Sequence, residues 1–326
     1  MQQEIRFATF NVCNLAPPGI IFYPNLPPFS PEEYAEKIRW TAQQLDTIDA
    51  DVIGFQEIFS QAALKDVLAR STKYRDAHHA GIDPDPASEL APLTPSVALV
   101  SRLPLDAVHF HSDFPASLTH NLPPQAHVPP RFTRPILQAR VRASNGLAID
   151  VFVLHLKSKR PDFRNGESES DPTQFGMASL RSLHRRGAEA LGLFHLLLDC
   201  MRRDDTAIVA MGDFNDTIDS VTSELLMGAG RFGDDRFGQR LFDCRRIQMH
   251  GNEAGAAGFT HMHDGACNTI DHVLVSKHFH PDYADAVGKV LEVRYLNDHI
   301  LWQTPQASDH GIVLARIALK DSGYAE

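Results

Sequence analysis

The sequence predicts an α/β sandwich, with sheets inside and helices outside. Three observations carry that expectation. Short apolar runs rich in Val, Ile, Leu and Phe outnumber the helical patterns, and they recur along the whole chain. Several of these runs end abruptly in an amide, carboxylate or imidazole residue. No internal repeat, low-complexity tract or linker-like composition shift interrupts the 326 residues. A chain of that length often makes two domains, but large α/β sandwiches exceed the usual domain size. With 43% hydrophobic residues a large core is available, and one domain spanning 1–326 is expected.

The elements follow in order. Residues 4–12 alternate as an opening strand that ends near Asn11 and Asn14. A Pro-rich loop leads to Ser30-Pro31-Glu32-Glu33, with Ser30 as N-cap, Pro31 in the first turn and Glu33 placed for a capping box. That helix should run to about Ile48, with Tyr34, Ile38, Thr41, Leu45 and Ile48 inward. Residues 51–57 are a strand ending in Glu57, and 60–70 a short helix. A loop holding one strand, Lys73 to His79, precedes strands at 96–101 and 105–112, read as a hairpin. A second Pro-rich loop covers 113–135. Strands at 134–143 and 147–156 are joined by the turn Ser144-Asn145-Gly146. After a polar loop, a helix is expected over 176–203. The apolar run Ala207–Met211 then meets Gly212-Asp213-Phe214-Asn215-Asp216. A short helix near 219–228, strands near 269–275 and 283–296, and a last strand from Ile312 complete the chain. Asp216 is expected to cap the helix near 219–228.

Charge narrows the partners. Lys and Arg total 31 against 41 Asp and Glu, a net charge of −10, which argues against a broad duplex-DNA footprint. A nucleotide, a short single strand or a phosphorylated small molecule stays open, because a bound cation supplies positive charge locally. Cys13, Cys200, Cys244 and Cys267 form no C-x-x-C pair, so they read as free thiols in a reducing compartment. The sequence opens Met1-Gln2-Gln3-Glu4 with no basic and apolar leader. No apolar run reaches the ~20 residues of a transmembrane helix. A cytoplasmic protein is the expectation.

The chemistry lies in the strand ends. Asn11, Glu57, His155, Asp213 with Asn215, Asp271, and Asp309 with His310 occupy six of them. Singly, each is as well explained as a cap, a turn residue or a satisfied histidine. Together they form an oxygen-rich set backed everywhere by apolar strand bodies. A hard cation such as Mg2+ or Mn2+ prefers carboxylate, amide and water oxygens. A phosphate ester needs its developing charge neutralised and a water oriented in line. Histidine, paired with Asp, holds a proton near neutral pH.

The ordered blocks Thr9-Phe10-Asn11, Phe55-Gln56-Glu57, His155-Leu156-Lys157-Ser158, Gly212-Asp213-Phe214-Asn215, Ile270-Asp271-His272 and Ser308-Asp309-His310 resemble the endonuclease/exonuclease/phosphatase superfamily. It includes pancreatic-type deoxyribonuclease, abasic-site endonucleases, inositol polyphosphate 5-phosphatases and neutral sphingomyelinases. The resemblance implies a four-layer α/β sandwich with two packed mixed sheets. It implies Glu57 as the main ligand of Mg2+ or Mn2+, with Asn11 and Asp309 nearby. It gives Asp213 the attacking water, Asn215 the phosphate or a second cation, and His310, oriented by Asp271, the scissile phosphate. His155 would be the second imidazole, usually paired with a carboxylate from an upstream strand; only Glu89 lies in that region. Lys157, Arg181 and Arg185 are candidate contacts for substrate phosphate, the two arginines sharing a helix face. His261-Met262-His263-Asp264 and His78-His79 read as surface loops. The expected activity is metal-dependent phosphodiester hydrolysis, most plausibly by a nuclease. The alternative is a phosphatase or phosphodiesterase acting on a phosphorylated small molecule or lipid headgroup, with a non-catalytic binding module behind both. No obligate protein partner is indicated.

Overall fold

The computed structural model describes residues 3–22, 26–84, 94–119, 128–228, 238–249, 258–302, 304 and 306–320. β1 (Gln3–Leu15) passes through α1 (Pro31–Ile48) to β2 (Val52–Ile58), then α2 (Gln61–Arg70), β3 (His78–Gly81) and β4 (Ser96–Ser101). β5 (Leu105–Asp113), the single turn α3 (Ala116–Thr119), β6 (Arg131–Arg142) and β7 (Ala148–His155) follow. The long α4 (Pro172–Asp204) returns the chain to β8 (Ala207–Asp213). After α5 (Val221–Met227), β9 (Leu241–Asp243) and α6 (Cys244–Ile247) come the strands β10 (His261–His263), β11 (Ala266–Asn268) and β12 (Asp271–Ser276). β13 (Gly288–Leu296), α7 (Asp298–Trp302) and β14 (Ile312–Leu319) end the fold.

Two six-stranded mixed sheets result, in the orders β13-β14-β1-β2-β4-β3 and β5-β6-β7-β8-β12-β9. Each has one parallel pair at its centre, β1 with β2 and β7 with β8, flanked by antiparallel neighbours. A parallel pair needs a crossover helix, here α1 and α4. Phe7, Val52, Leu137, Val151, Val209 and Val313 fill the space between the sheets. Ile38 and Leu45 of α1 pack with Leu64 and Val67 of α2 on the outer face of the first sheet. Leu193 and Leu197 of α4 cover the second. The four layers are therefore helix, sheet, sheet, helix.

The helix start at Ser30 forms as its sequence predicts. Ser30 Oγ accepts from Glu33 N at 3.2 Å, and Glu33 Oε2 accepts from Ser30 N at 2.8 Å. Ile38, Thr41, Leu45 and Ile48 are buried, while Tyr34 is half-buried with its hydroxyl on Asp66 at 2.7 Å.

Other expectations are corrected. Strands 96–101 and 105–112 do not form a hairpin, because β4 pairs with β2 and β3 whereas β5 is the edge of the other sheet. β4 is buried at all six residues, which suits an interior strand, and Arg102-Leu103-Pro104 carries the chain between sheets. Arg102 is held there by Asp49 at 2.8 Å and Asp51 at 2.9 Å. The strand sought at 73–79 is β3, displaced to 78–81, since Tyr74 is tied to Ala50 O at 2.6 Å in a turn. α4 begins at Pro172 because Asp171 caps it, accepting from Thr173 N and Gln174 N at 2.8 and 3.1 Å. β9, β10 and β11, each three residues long, are too short to leave a pattern.

Candidate active site

The pairing of the sheets decides where the polar strand ends meet. The parallel strands β1, β2, β7 and β8 all finish at one rim. β12 and β14, antiparallel to them, begin there. In register, His155 lies beside Asp213 and Asp213 beside Asp271. Across the gap between the sheets Asn11 Nδ2 donates to Asp213 Oδ2 at 3.1 Å. Strand irregularities after Asn11 and Phe55 turn the ends of β1 and β2 into the rim.

Gly212 is required by close approach. A Cβ there would stand 2.0 Å from the carbonyl oxygen of Leu154 in the neighbouring strand. The bonds around it lock the turn: Leu156 N donates to Asp213 O at 3.0 Å and Phe214 N to Ile270 O at 2.9 Å. Asn215, with φ of 53°, donates from Nδ2 to Leu156 O at 3.0 Å.

The side chains converge. Asp213 Oδ1 accepts from Asn215 N at 2.7 Å, and Oδ2 lies 3.4 Å from His155 Nε2 and 4.0 Å from His310 Nε2. His310 Nδ1 donates to Asp271 Oδ2 at 2.9 Å, and His310 O accepts from His299 Nε2 at 2.7 Å. Glu57 Oε1 accepts from Asn11 Nδ2 at 3.3 Å and Oε2 from Asn14 N at 3.0 Å. Asp309 follows Ser308, whose hydroxyl donates to Asn11 O at 2.6 Å and ties the start of β14 to the end of β1. Asn11, Glu57, His155, Asp213, Asn215, Asp271, Asp309 and His310 thus share one rim.

Burial sets the protonation of this group. Desolvation, together with the charge of Asp271, pushes the Asp213 carboxyl up to about 7, against the pull of His310. Burial opposes the imidazolium of His310. The carboxylates of Asp271, Asp213 and Asp309 outweigh it and hold His310 well above the ordinary histidine value. Burial, then Arg134 and His310, keeps His155 well below it. Asp309 reaches solvent, yet its surroundings still desolvate it. His310, a hydrogen bond from Cys13 and nearby His261 together bring its carboxyl below the usual range. Among the described residues, buried atoms around the rim without a hydrogen-bond partner include Asn14 Oδ1, Gln56 Nε2, Arg134 Nε, His155 Nδ1 and Asp271 Oδ1.

The basic candidates sit to one side. Lys157, Arg181 and Arg185 line a cavity of about 590 Å³ with Thr133, Arg164 and His184. Each is already engaged. Lys157 Nζ donates to Arg160 O at 3.0 Å, Arg181 pairs with Glu167, and Arg185 Nε donates to Glu189 Oε1 at 3.0 Å. Asp216 does not cap α5; Ser220 does, accepting from Ser223 N at 3.3 Å. Asp216 instead binds Lys159 at 2.9 Å, Arg186 at 3.2 Å and the Thr222 hydroxyl at 2.8 Å. Glu89 falls outside the described residues, and His155 Nδ1 has no carboxylate among the described ones.

Sequence reading missed three side chains here. His261 belongs to the β10–β11 hairpin, not a surface loop, and its ring centre is 5.1 Å from that of His310. Lys37 is fully buried on α1, its charge facing Cys13, Asp309 and Glu57. Cys13, at φ 52°, bonds Asp309 rather than sitting in the core. Only Lys37 left a trace, a lysine on the apolar stripe one residue before Ile38.

A model of the endonuclease/exonuclease/phosphatase family matches residues 8–310. Among solved structures, the chain is similar to an endonuclease/exonuclease/phosphatase family protein from Leptotrichia buccalis, at 16% identity, covering 96% of this chain and 99% of that one with a TM-score of 0.56. A mannosyl-6-phosphatase from Bacteroides thetaiotaomicron is 15% identical over 96% and 99% of the two chains, TM-score 0.57. Truncated TDP2 from Caenorhabditis elegans is 13% identical over 97% of each, TM-score 0.56. No curated protein matches the sequence.

Proposed function

The chain belongs to the endonuclease/exonuclease/phosphatase family, whose members hydrolyse phosphoric esters, and from that premise we propose that it cleaves a phosphodiester by in-line attack of a water activated at Asp213. The observation that carries the reading is the Asp213–Asp271–His310 group. Its ligand atoms lie within 4.8 Å of one another and are buried; the Asp213 carboxyl is pushed up to about 7 and the surrounding carboxylates raise the His310 imidazole well above its ordinary value.

The donor set at the ends of β1 and β2 fits a hard cation. Glu57 and Asp309 offer carboxylate oxygens, Asn11 an amide, and Asn14 Oδ1 is a buried acceptor without a partner among the described residues. Glu57, Asn11 and Asp309 would hold Mg2+ or Mn2+. When bound, the cation neutralises charge on the phosphoryl oxygens.

The remaining steps belong to the chain's own residues. Asp213, poised near neutrality, takes the proton of the attacking water, and the Asn215 amide fixes its carboxylate. His310 donates from Nε2 to a phosphoryl oxygen, and Asp271 orients the ring through Nδ1. A neutral His155 with its proton on Nε2 contacts Asp213 and the same phosphate. Lys157, Arg181 and Arg185 draw the substrate's other charged groups to the adjacent cavity.

A nuclease acting on a short single strand is the first reading. A phosphatase or phosphodiesterase for a phosphorylated small molecule or lipid headgroup is the second, favoured by the net charge of −10 and by the size of the 590 Å³ cavity. Hydrolysis of bis-p-nitrophenyl phosphate with Mg2+ or Mn2+, and its loss in chelator, tests the chemistry. An Asp213→Ala or His310→Ala variant that keeps the full rate would refute it. Turnover compared on single-stranded DNA, RNA, inositol phosphates and sphingomyelin separates the two readings.

A further inference from the structure

His261 is the imidazole this mechanism leaves unused, and the fold holds it firmly. It forms a backbone bridge with His310. Beside it, Gly311 N donates to Thr260 O at 2.7 Å and Thr260 N to Asn268 O at 2.9 Å. The Thr260 hydroxyl accepts from Ile270 N at 3.0 Å and Asp271 N at 3.2 Å. The base of the β10–β11 hairpin is thus bonded to the segments that deliver Asp271 and His310. One ligand atom each from His261, Asp309 and His310 lies within 4.8 Å of the other two. Asp271 occupies Nδ1 of His310, so Nε2 is the nitrogen left to ligate.

We propose that His261, Asp309 and His310 form a second cation site, selective for a borderline transition ion of the Zn2+ or Co2+ class and inhibitory when filled. Two imidazole nitrogens and one carboxylate are the donors such ions favour, whereas Mg2+ takes oxygens and keeps several waters. This separates the site from the oxygen set around Glu57; Asp309 serves both, one carboxylate oxygen to each ion, so the two sites fill together. Ligands bonded to zinc at ~2.0–2.1 Å stand roughly 3.4 Å apart in a tetrahedron. From separations of at most 4.8 Å the set closes by no more than about 1.4 Å, a movement available to the half-buried ring of His261 by rotation. On binding, the Nε2 proton of His310 is released to solvent. The ion then holds the atom offered to phosphate. That inhibitory consequence rests on the reading of His310 given above; the binding itself does not.

The test is titration of the full chain with CoCl2 in saturating MgCl2, followed by d–d absorption. The wild type should bind one Co2+ with a nitrogen-ligand spectrum that ZnCl2 displaces and MgCl2 does not. His261→Ala should weaken Co2+ binding at least ~10-fold and leave the MgCl2 isotherm unchanged. His261→Gln, which retains side-chain bulk, should do the same and covers any loss of folding in the alanine variant. Unchanged Co2+ affinity and spectrum in either folded variant would overturn the proposal. So would displacement of Co2+ by Mg2+ in the wild type. A chain that binds Co2+ as described but takes no Mg2+ would sink the hydrolytic reading and leave this site standing.

Discussion

Asp271→Asn separates orientation from chemistry. The substitution keeps the side-chain shape and removes the charge behind His310, whose Nδ1 sits 2.9 Å from Asp271 Oδ2 in a pair that is almost fully buried. A hydrogen bond to a charged partner contributes about 1.5–3 kcal/mol, so the imidazolium loses about 10- to 150-fold in population relative to neutral His310. General acid–base steps contribute roughly 10²- to 10⁴-fold, and kcat/KM should fall on the order of 10²-fold at neutral pH. The pH profile carries the sharper sign. Asp213 must be ionised and His310 protonated, so the wild-type rate is a bell whose acid limb belongs to Asp213 and alkaline limb to His310. Asp271 raises both groups, so its neutralisation should move both limbs to lower pH. The new amide nitrogen also falls where Asp271 Oδ1 lacks a partner among the described residues, which costs about 1–3 kcal/mol of stability. Steady-state rates across pH, with circular dichroism to verify folding, decide the matter. A folded variant with a rate within twofold of wild type and an unmoved profile would refute the assignment of His310.

Two further outcomes follow from buried charge. Lys37→Met removes a buried amine whose charged form burial disfavours and which faces Glu57 and Asp309; losing that like charge beside a divalent ion should raise Mg2+ affinity, measured by calorimetry, by at least ~5-fold. Unfolding should be acid-sensitive through His272, buried and held below its ordinary value of 6.5 mainly by desolvation. Below 6.5 the unfolded chain binds the proton and the folded chain resists it, so Tm should fall as pH drops through that value, and less in His272→Gln.

The apolar bodies of the strands and the Ser30 helix start were legible because they depend on local pattern alone. The rim residues were legible for a related reason. Asn11, Glu57, His155, Asp213, Asp271 and His310 each mark the end of an apolar strand run, and the six share one oxygen-rich chemistry. The β4–β5 pairing was not legible, since two adjacent strands look the same whether they pair or part, and the parting at Pro104 depends on Arg102 finding Asp49 and Asp51. His261 was hidden for a different reason. Three-residue strands carry too few residues for a period, and its partner His310 lies 49 positions away. Lys37 looked like an imperfection in an amphipathic helix, because sequence gives no hint of which buried face meets a carboxylate cluster.

The rim also explains why strain and charge gather at the same place. Among the described residues, eight non-glycine positions have positive φ, and Cys13, Asn14, Glu57 and Asn215 are four of them. Each such residue costs on the order of 1–3 kcal/mol. Glu57 shows what that strain accomplishes. At φ 62° its carboxylate leaves the line of the strand and accepts the Asn11 amide and the Asn14 backbone together. Asp213, Asp271 and Asp309 lie in the same small volume, faced by the cations His310 and Lys37. Four acidic side chains face His310 and Lys37 there, a crowding that a relaxed backbone would disperse. The strained turns hold it together instead. A site built this way gains most from a divalent ion, and it gains least when Lys37 and a protonated His310 already supply the charge. Metal affinity, the protonation of His310 and the left-handed turns are therefore one coupled property of the rim, and changing any of them should shift the other two.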